Sequence, residues 1–171
     1  LPPRDGSFIA LQPLRSDAFV VPFGYSYDVV ARDGDAMFPG TTNLDSRTMF
    51  DGALATEQAA TAQLRRFGWC TDGLAYFPIS GQRSDRGVLC ANNESVHLSL
   101  AFPRSVRDSL ASADPGAWID RHPAAVKWMQ AAHGVSVLQV ARGPRGWKME
   151  HGALNRRITA STPCDITGPA R

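Results

Sequence analysis

Short runs in which apolar and polar residues alternate recur along the chain, and they predict β-strands. The clearest pair is Gly73–Ile79 and Gly87–Ala91, which a polar turn rich in Gly, Ser, Arg and Asp joins into a hairpin. A second hairpin is predicted where Val135–Ala141 and Trp147–Glu150 flank a Gly-Pro-Arg-Gly turn. Tyr25–Ala31 alternates well enough to predict a further strand, and the chain from residue 155 onward is predicted to be short strand and loop.

Helical segments are predicted between these strands. Ala53–Phe67 is rich in helix formers, carries Glu57 and Gln58 early and two arginines late, and is followed by Gly68 as a C-terminal stop. Arg104–Ser112 follows a proline that can open a helix. His122–His133 has an apolar stripe that indicates a core-facing helix. The pattern as a whole predicts a mainly β protein built of antiparallel hairpins with helical insertions.

Composition narrows the class of protein. The chain has 171 residues with 43% hydrophobic content, which is enough for one domain with a core. A net charge of +2 gives no broad basic face, so no nucleic-acid partner is expected. No apolar run is long enough to span a bilayer. The chain opens with LPPRDGSF instead of methionine, which we interpret as a processed or trimmed terminus.

The three cysteines, Cys70, Cys90 and Cys164, lack zinc-site spacing. Cys70 and Cys90 lie on or beside neighbouring predicted strands. A disulfide between them in an oxidising compartment and two buried free thiols are both consistent with the sequence.

Two carboxylates lie beside the first hairpin. Asp72 precedes its first strand and Glu94 follows its second, so antiparallel pairing can place both at one edge of the sheet. Carboxylates with amide neighbours suit a hard cation, which takes several oxygen ligands. The alternative is that Asp72 and Asn92 form turns and that Glu94 is solvated.

Other chemical motifs are weak or missing. The acidic loop after the first predicted strand contains Asp33 and Asp35, but it lacks the rest of an EF-hand and is interpreted as structural. No G-x-S-x-G elbow, H-E-x-x-H pair or phosphate-binding glycine loop occurs. The pair Arg156–Arg157 could bind an anion, although alternation along a strand would turn one arginine to solvent.

Several runs together resemble the PhoX family of secreted bacterial alkaline phosphatases. They are RRFGWCTDGLAYFPI, GVLCANNES followed by LAFP, AAHGVSVLQV, the aromatic strand at Trp147 with NRRIT, TP and TGPA after it, and the opening GYSYDVVARDGDAMFPG. The resemblance covers almost the whole chain, in order.

The resemblance implies part of a β-propeller, export by the twin-arginine route to the periplasm or beyond, and hydrolysis of small phosphomonoesters at calcium and iron ions. By motif, Glu94 and Asp72 fall near the family's metal site as metal ligands, and Arg157 and Asn93 as substrate-binding residues. No catalytic residue is assigned in this chain. The sequence departs from the family at Asn93, where a histidine is usual, and at Cys70 and Thr71, where asparagine or histidine is usual.

Family members are several times longer than this chain. We therefore expect residues 1–171 to be the N-terminal portion of the phosphatase, with its remaining metal ligands beyond Arg171. The isolated chain is then expected to be inactive and to need the remainder of the chain, or a second fragment, as its partner. The alternative is a non-catalytic, secreted β-rich binding or structural module derived from the family.

Overall fold

The computed structural model describes residues 9–49, 51–79, 84–111 and 114–169. In this part of the chain, one antiparallel sheet contains five strands, with β3 at its centre. The strands are Thr71–Pro78 (β1), Arg86–Asn93 (β2), Gly134–Gly143 (β3), Gly146–Glu150 (β4) and Arg156–Ile158 (β5). β2 pairs along one side of β3, whereas β4 and β5 pair with the two halves of its other side. β1 pairs with β2 and forms an edge of the sheet.

Helices lie before and after the β1–β2 hairpin. They are the 3-10 turn Ser46–Thr48 and the α-helices Glu57–Gln63 (α1), Leu98–Ala101 (α2), Arg104–Ala111 (α3), Pro115–Arg121 (α4) and Pro123–Ala132 (α5). Their apolar side chains form a core around Trp128, which is fully buried and meets Trp69 and Phe102 edge to face. A second core covers one face of the sheet and includes Met37 and Leu138.

Both predicted hairpins are confirmed, with strand ends that differ by a few residues from the predicted ones. The strand predicted at Tyr25–Ala31 is wrong, because this segment forms no strand in the structure. Its Val30 packs on the sheet, its Tyr27 is exposed, and its Asp28 accepts a hydrogen bond from the Trp147 backbone N–H at 3.0 Å. An extended segment that packs on a sheet has one solvent-exposed side and one side that faces the sheet. Its polar and apolar residues therefore alternate as in a strand, although its backbone is not paired. Residues 80–83 of the predicted β1–β2 turn lie outside the described residues.

The helix predicted at Ala53–Phe67 is shorter than expected. Thr56 caps α1, since its hydroxyl accepts from the Ala59 backbone N–H. After Gln63 the backbone leaves the helix because it pairs with the acidic loop: Phe67 donates to the Asp35 carbonyl at 2.8 Å. Gly68 therefore does not end the helix. The helix ends at Gln63 because of a long-range backbone contact, which a local sequence pattern does not reveal.

The other two predicted helices are present as α3 and α5, and α2 and α4 were not predicted. The sequence Asp114-Pro115-Gly116 starts α4. Asp114 accepts from the Gly116 backbone N–H, and Pro115 occupies the first turn, where its missing N–H is harmless.

The described sheet is open, so the structure shows a mainly antiparallel β architecture with helices and not a closed propeller. None of the helices in the described ranges is both long and apolar enough to cross a membrane.

Candidate functional site

The structure brings Asp72 and Glu94 together at one end of the β1–β2 hairpin. Thr71 pairs with Asn93, so Asp72 lies opposite Asn92, and Glu94, which directly follows β2, is its diagonal neighbour. The Glu94 side chain is close enough to contribute to the lowered pKa of Asp72, and the Glu94 backbone N–H donates to the Cys70 carbonyl at 3.1 Å. The proximity predicted from antiparallel pairing is therefore confirmed, while the role of these carboxylates as metal ligands stays a prediction.

Asp72 is held in its ionised form. Asn92 donates from its side-chain amide to Asp72 Oδ1 at 2.7 Å, and the Gly73 backbone N–H donates to the same oxygen. The Asn92 bond is the largest cause that lowers the pKa of Asp72 below its usual range, followed by the Gly73 bond. A carboxylate that stays charged at neutral pH can bind a cation without first losing a proton.

Cys70 adopts a left-handed backbone conformation next to this pair. Its φ of 51° is the one positive value at a non-glycine residue in the described ranges. A side chain in this region costs about 1 kcal/mol or more, so the surrounding contacts must impose the turn. One of them is the bond from the Trp69 backbone N–H to the Ala132 carbonyl at 3.1 Å.

The strand register also shows whether Cys70 and Cys90 form a disulfide or are free thiols, which the sequence alone did not decide. Cys90 lies opposite Ala75, whereas Cys70 lies beyond Thr71 and opposite the Glu94 end of β2. Four residues of strand separate these levels by about 13 Å, which is too far for a disulfide. Both cysteines are free thiols.

Asp33 lies next to the turn at Cys70, although the sequence analysis interpreted its loop as structural. Its carboxyl group accepts a hydrogen bond from the Cys70 backbone and is attracted by His97. Loss of surrounding water is the largest influence and raises the pKa of Asp33. The Asp-x-Asp pattern was the available signal, and only the fold reveals that its first member reaches the turn before Asp72.

An open cleft of about 480 Å³ extends from this end of the hairpin across the sheet. Asp28, Asp33 and Thr71 provide its polar lining. Its apolar lining comes from the overlying segment and from the sheet: Val29, Val30, Ala31, Phe67, Leu74, Leu89, Ala91 and Leu138. The cleft can hold an organic group, and the two carboxylates that line it are those of Asp28 and Asp33.

Asn93 is buried and Arg157 is half-buried, and neither residue lines the cleft. Asn93 is 2% exposed. The Arg157 guanidinium donates to Asn93 Oδ1 and Ser136 Oγ, both at 2.8 Å, and to the carbonyls of Ala131 and His133. Burial lowers the pKa of Arg157 to about 10, so the group remains charged at neutral pH. Because these bonds engage most of its N–H donors, the substrate-binding role of both residues stays a prediction.

Arg156 is the exposed member of the arginine pair, as strand alternation predicts. Its guanidinium donates to the carbonyls of Ala153 and Asn155. The two adjacent arginines therefore do not form one anion site.

The oxygen ligands at this end of the hairpin are of the type that a hard cation binds, but there are too few of them to complete its coordination shell. Asp72, Glu94 and Asn92 supply oxygen atoms, the ligands calcium prefers, but calcium takes six to eight of them. No group of three or more His, Cys, Asp or Glu side chains that could hold a metal occurs among the described residues. The described residues therefore do not enclose a calcium or iron ion by themselves.

Known proteins resemble this chain in sequence and in fold. The family described as "Alkaline phosphatase PhoX" matches residues 6–171. A solved structure, Pseudomonas fluorescens PhoX in complex with vanadate, a transition-state analogue, is similar with a TM-score of 0.71 and 25% identity. The match covers 95% of this chain and 25% of that one, so this chain spans about a quarter of the relative's length. No curated protein matches. Because the family match extends over nearly all of the sequence, the chain belongs to the PhoX alkaline phosphatase family.

Proposed function

We propose that this chain is the N-terminal portion of a metal-dependent phosphatase that hydrolyses small phosphomonoesters. The observation that carries the proposal is the family match over residues 6–171. The solved PhoX structure with a bound transition-state analogue supports the same chemistry. In this proposal the sheet contributes to a propeller, which the remaining chain completes.

The charges at the site explain why metal ions are part of the proposal. A phosphate group approaching Asp72 and Glu94 meets two carboxylates, which repel it. Asp72 and Glu94 would serve as two of the ligands of a cation, and the cation would supply positive charge that offsets this repulsion and stabilises charge developing during transfer. By family resemblance the ions would be calcium and iron, with their other ligands supplied by residues beyond this chain.

The cleft that begins at Thr71 supports a site for the organic part of the ester. Its apolar walls at Leu74, Leu89 and Leu138 can contact a leaving group without competing for the cation. No described residue is assigned as nucleophile or general acid. Family membership further supports export to the periplasm or outside the cell by the twin-arginine route.

Substitution of the two carboxylates in the longer protein tests the proposal. We expect Asp72→Asn and Glu94→Gln each to reduce hydrolysis of p-nitrophenyl phosphate by about 100-fold or more, because each removes a charged oxygen ligand. Asp51→Asn is a matched control, since this exposed aspartate belongs to neither strand of the hairpin and accepts from the Ala53 backbone N–H. A chelator should abolish the activity, and added calcium should support it. Full activity in both variants would contradict the proposal.

The incomplete ligand set favours one alternative, a secreted β-rich module that binds but does not catalyse. The 171-residue chain would then fold and bind its partner without phosphatase activity under any metal condition. Activity that appears only in the longer protein distinguishes the first proposal from this one.

A further inference from the structure

A buried polar network lies behind the Asp72–Glu94 pair. Ser136 is fully buried, and its hydroxyl donates to Asn93 Oδ1 at 2.6 Å. Arg157 donates to both of these oxygens from one nitrogen and to the carbonyls of Ala131 and His133 from another. The network therefore joins β2, β3 and β5 to the C-terminal end of α5.

This network extends to residues adjacent to both carboxylates. Asn93 is followed directly by Glu94, and its side-chain N–H donates to Thr71 Oγ1 at 3.1 Å. Thr71 is followed directly by Asp72. The Asn93 amide therefore links the end of β2, which Glu94 follows, to the start of β1, which contains Asp72.

The same network constrains the chain before Thr71. The Gly68 backbone N–H donates to Ser136 Oγ at 3.2 Å. A Cβ atom at Gly68 would lie 2.3 Å from the Asn93 side chain and 2.6 Å from the Ala132 carbonyl, so only glycine fits at this position. The network therefore fixes the backbone at Gly68, two residues before the left-handed turn at Cys70.

Stability alone is a poor explanation for these groups. Arg157 Nε is buried without a hydrogen-bond partner among the described residues, and burying a guanidinium requires removing its water. Apolar side chains of similar volume often stabilise such positions as well or better. A buried charge of this kind is useful where it specifies one arrangement of the groups around it.

We infer that Arg157 is a positioning residue that fixes the Asn93 amide and, through it, the relative placement of Asp72 and Glu94. The inference rests on the proposed function in assigning the site to these two carboxylates. In this scheme Arg157 acts on the two carboxylates through the side chains of Asn93 and Thr71. Lysine cannot replace it, because a single ammonium group cannot reach Asn93, Ser136 and both carbonyls with the geometry of a planar fork.

NMR spectroscopy of the 171-residue chain tests the inference without any metal or substrate. In Arg157→Lys we expect the side-chain carboxylate ¹³C resonances of Asp72 and Glu94 to shift. We also expect the Glu94 amide, which bonds to the Cys70 carbonyl, to exchange about tenfold faster. Amides in the centre of the β2–β3 ladder should change by less than about twofold. Arg156→Lys is the matched control and should leave both signals unchanged.

A second variant keeps the test decisive if Arg157→Lys does not fold. Thr71→Val removes the hydroxyl that accepts from Asn93, keeps the side-chain shape, and lies at an exposed position. The carboxylate resonance of Asp72 should shift in this variant also. Unchanged Asp72 and Glu94 resonances in a folded Arg157→Lys protein, or in Thr71→Val, would overturn the inference. A finding that the protein is not a phosphatase would not overturn the inference, because neither NMR measurement depends on catalysis.

Discussion

At the scale of single residues, Asp33 shows how the fold changes the chemistry of a group that the sequence presents as ordinary. Its raised pKa means that the folded protein binds a proton more tightly there than the unfolded chain does. The contribution of this group to stability therefore falls as pH rises from the usual aspartate range through the raised folded value. At neutral pH the ionised carboxylate disfavours the fold.

Asp33→Asn should accordingly be more stable than the wild-type protein at pH 7. Asparagine keeps an oxygen that can accept from the Cys70 backbone and has no charge to desolvate. The gain should be about 1–2 °C in Tm and should vanish in acid, where Asp33 is protonated in both states. Calorimetry across a pH series measures it. Asp35→Asn is the control and should not stabilise, since the Asp35 carboxylate accepts from the Arg32 backbone N–H at 2.7 Å. A Tm of Asp33→Asn at or below wild type at pH 7 would contradict the argument.

The sequence was sufficient to place Asp72 and Glu94 together, because hairpin register determines which residues are neighbours. It was insufficient for Asp33, whose contact with Cys70 spans 37 residues and depends on the loop pairing with the chain after α1. Motif matching also could not show that Asn93 and Arg157 bond to each other, since that contact requires the β3–β5 pairing.

At the scale of elements, strong local signals gave the right structures and long-range contacts set their ends. The β3–β4 hairpin follows from its glycine turn, and α5 follows from its apolar stripe. α1 ends early because the backbone beyond it bonds to the acidic loop. Its start, in contrast, is local, since Thr56 provides the side-chain cap.

Thr56→Ala should therefore destabilise the protein by about 1 kcal/mol, the usual cost of losing an N-cap hydroxyl. Denaturant unfolding followed by circular dichroism measures this difference in the free energy of unfolding. Thr61→Ala is a matched control within the same helix, because its hydroxyl bonds only to a carbonyl one turn earlier and alanine is a better helix former. Equal stability of Thr56→Ala and wild type would show that the cap contributes nothing.

At the scale of the whole molecule, the sheet leaves apolar surface exposed. β1 is exposed along its full length and forms an edge of the sheet. Leu74, on the cleft side, is 63% exposed, and Phe77, on the opposite face, is 57% exposed. Unpaired strand edges with apolar side chains on both faces bind other polypeptide. In the proposed full-length phosphatase the remaining three-quarters of the chain would cover this surface.

Without such cover, we expect the 171-residue chain to self-associate as its concentration rises. Phe77→Lys should shift the association to higher concentration by about tenfold or more, because a charge on an edge strand opposes pairing with another copy. Light scattering coupled to size-exclusion chromatography measures the mass at each concentration. Ile166→Lys is the control: Ile166 is 71% exposed but lies after the last strand, so its substitution should not change the association. A chain that stays monomeric throughout, with or without Phe77→Lys, would show that the exposed edge is protected by its own twist and needs no further polypeptide.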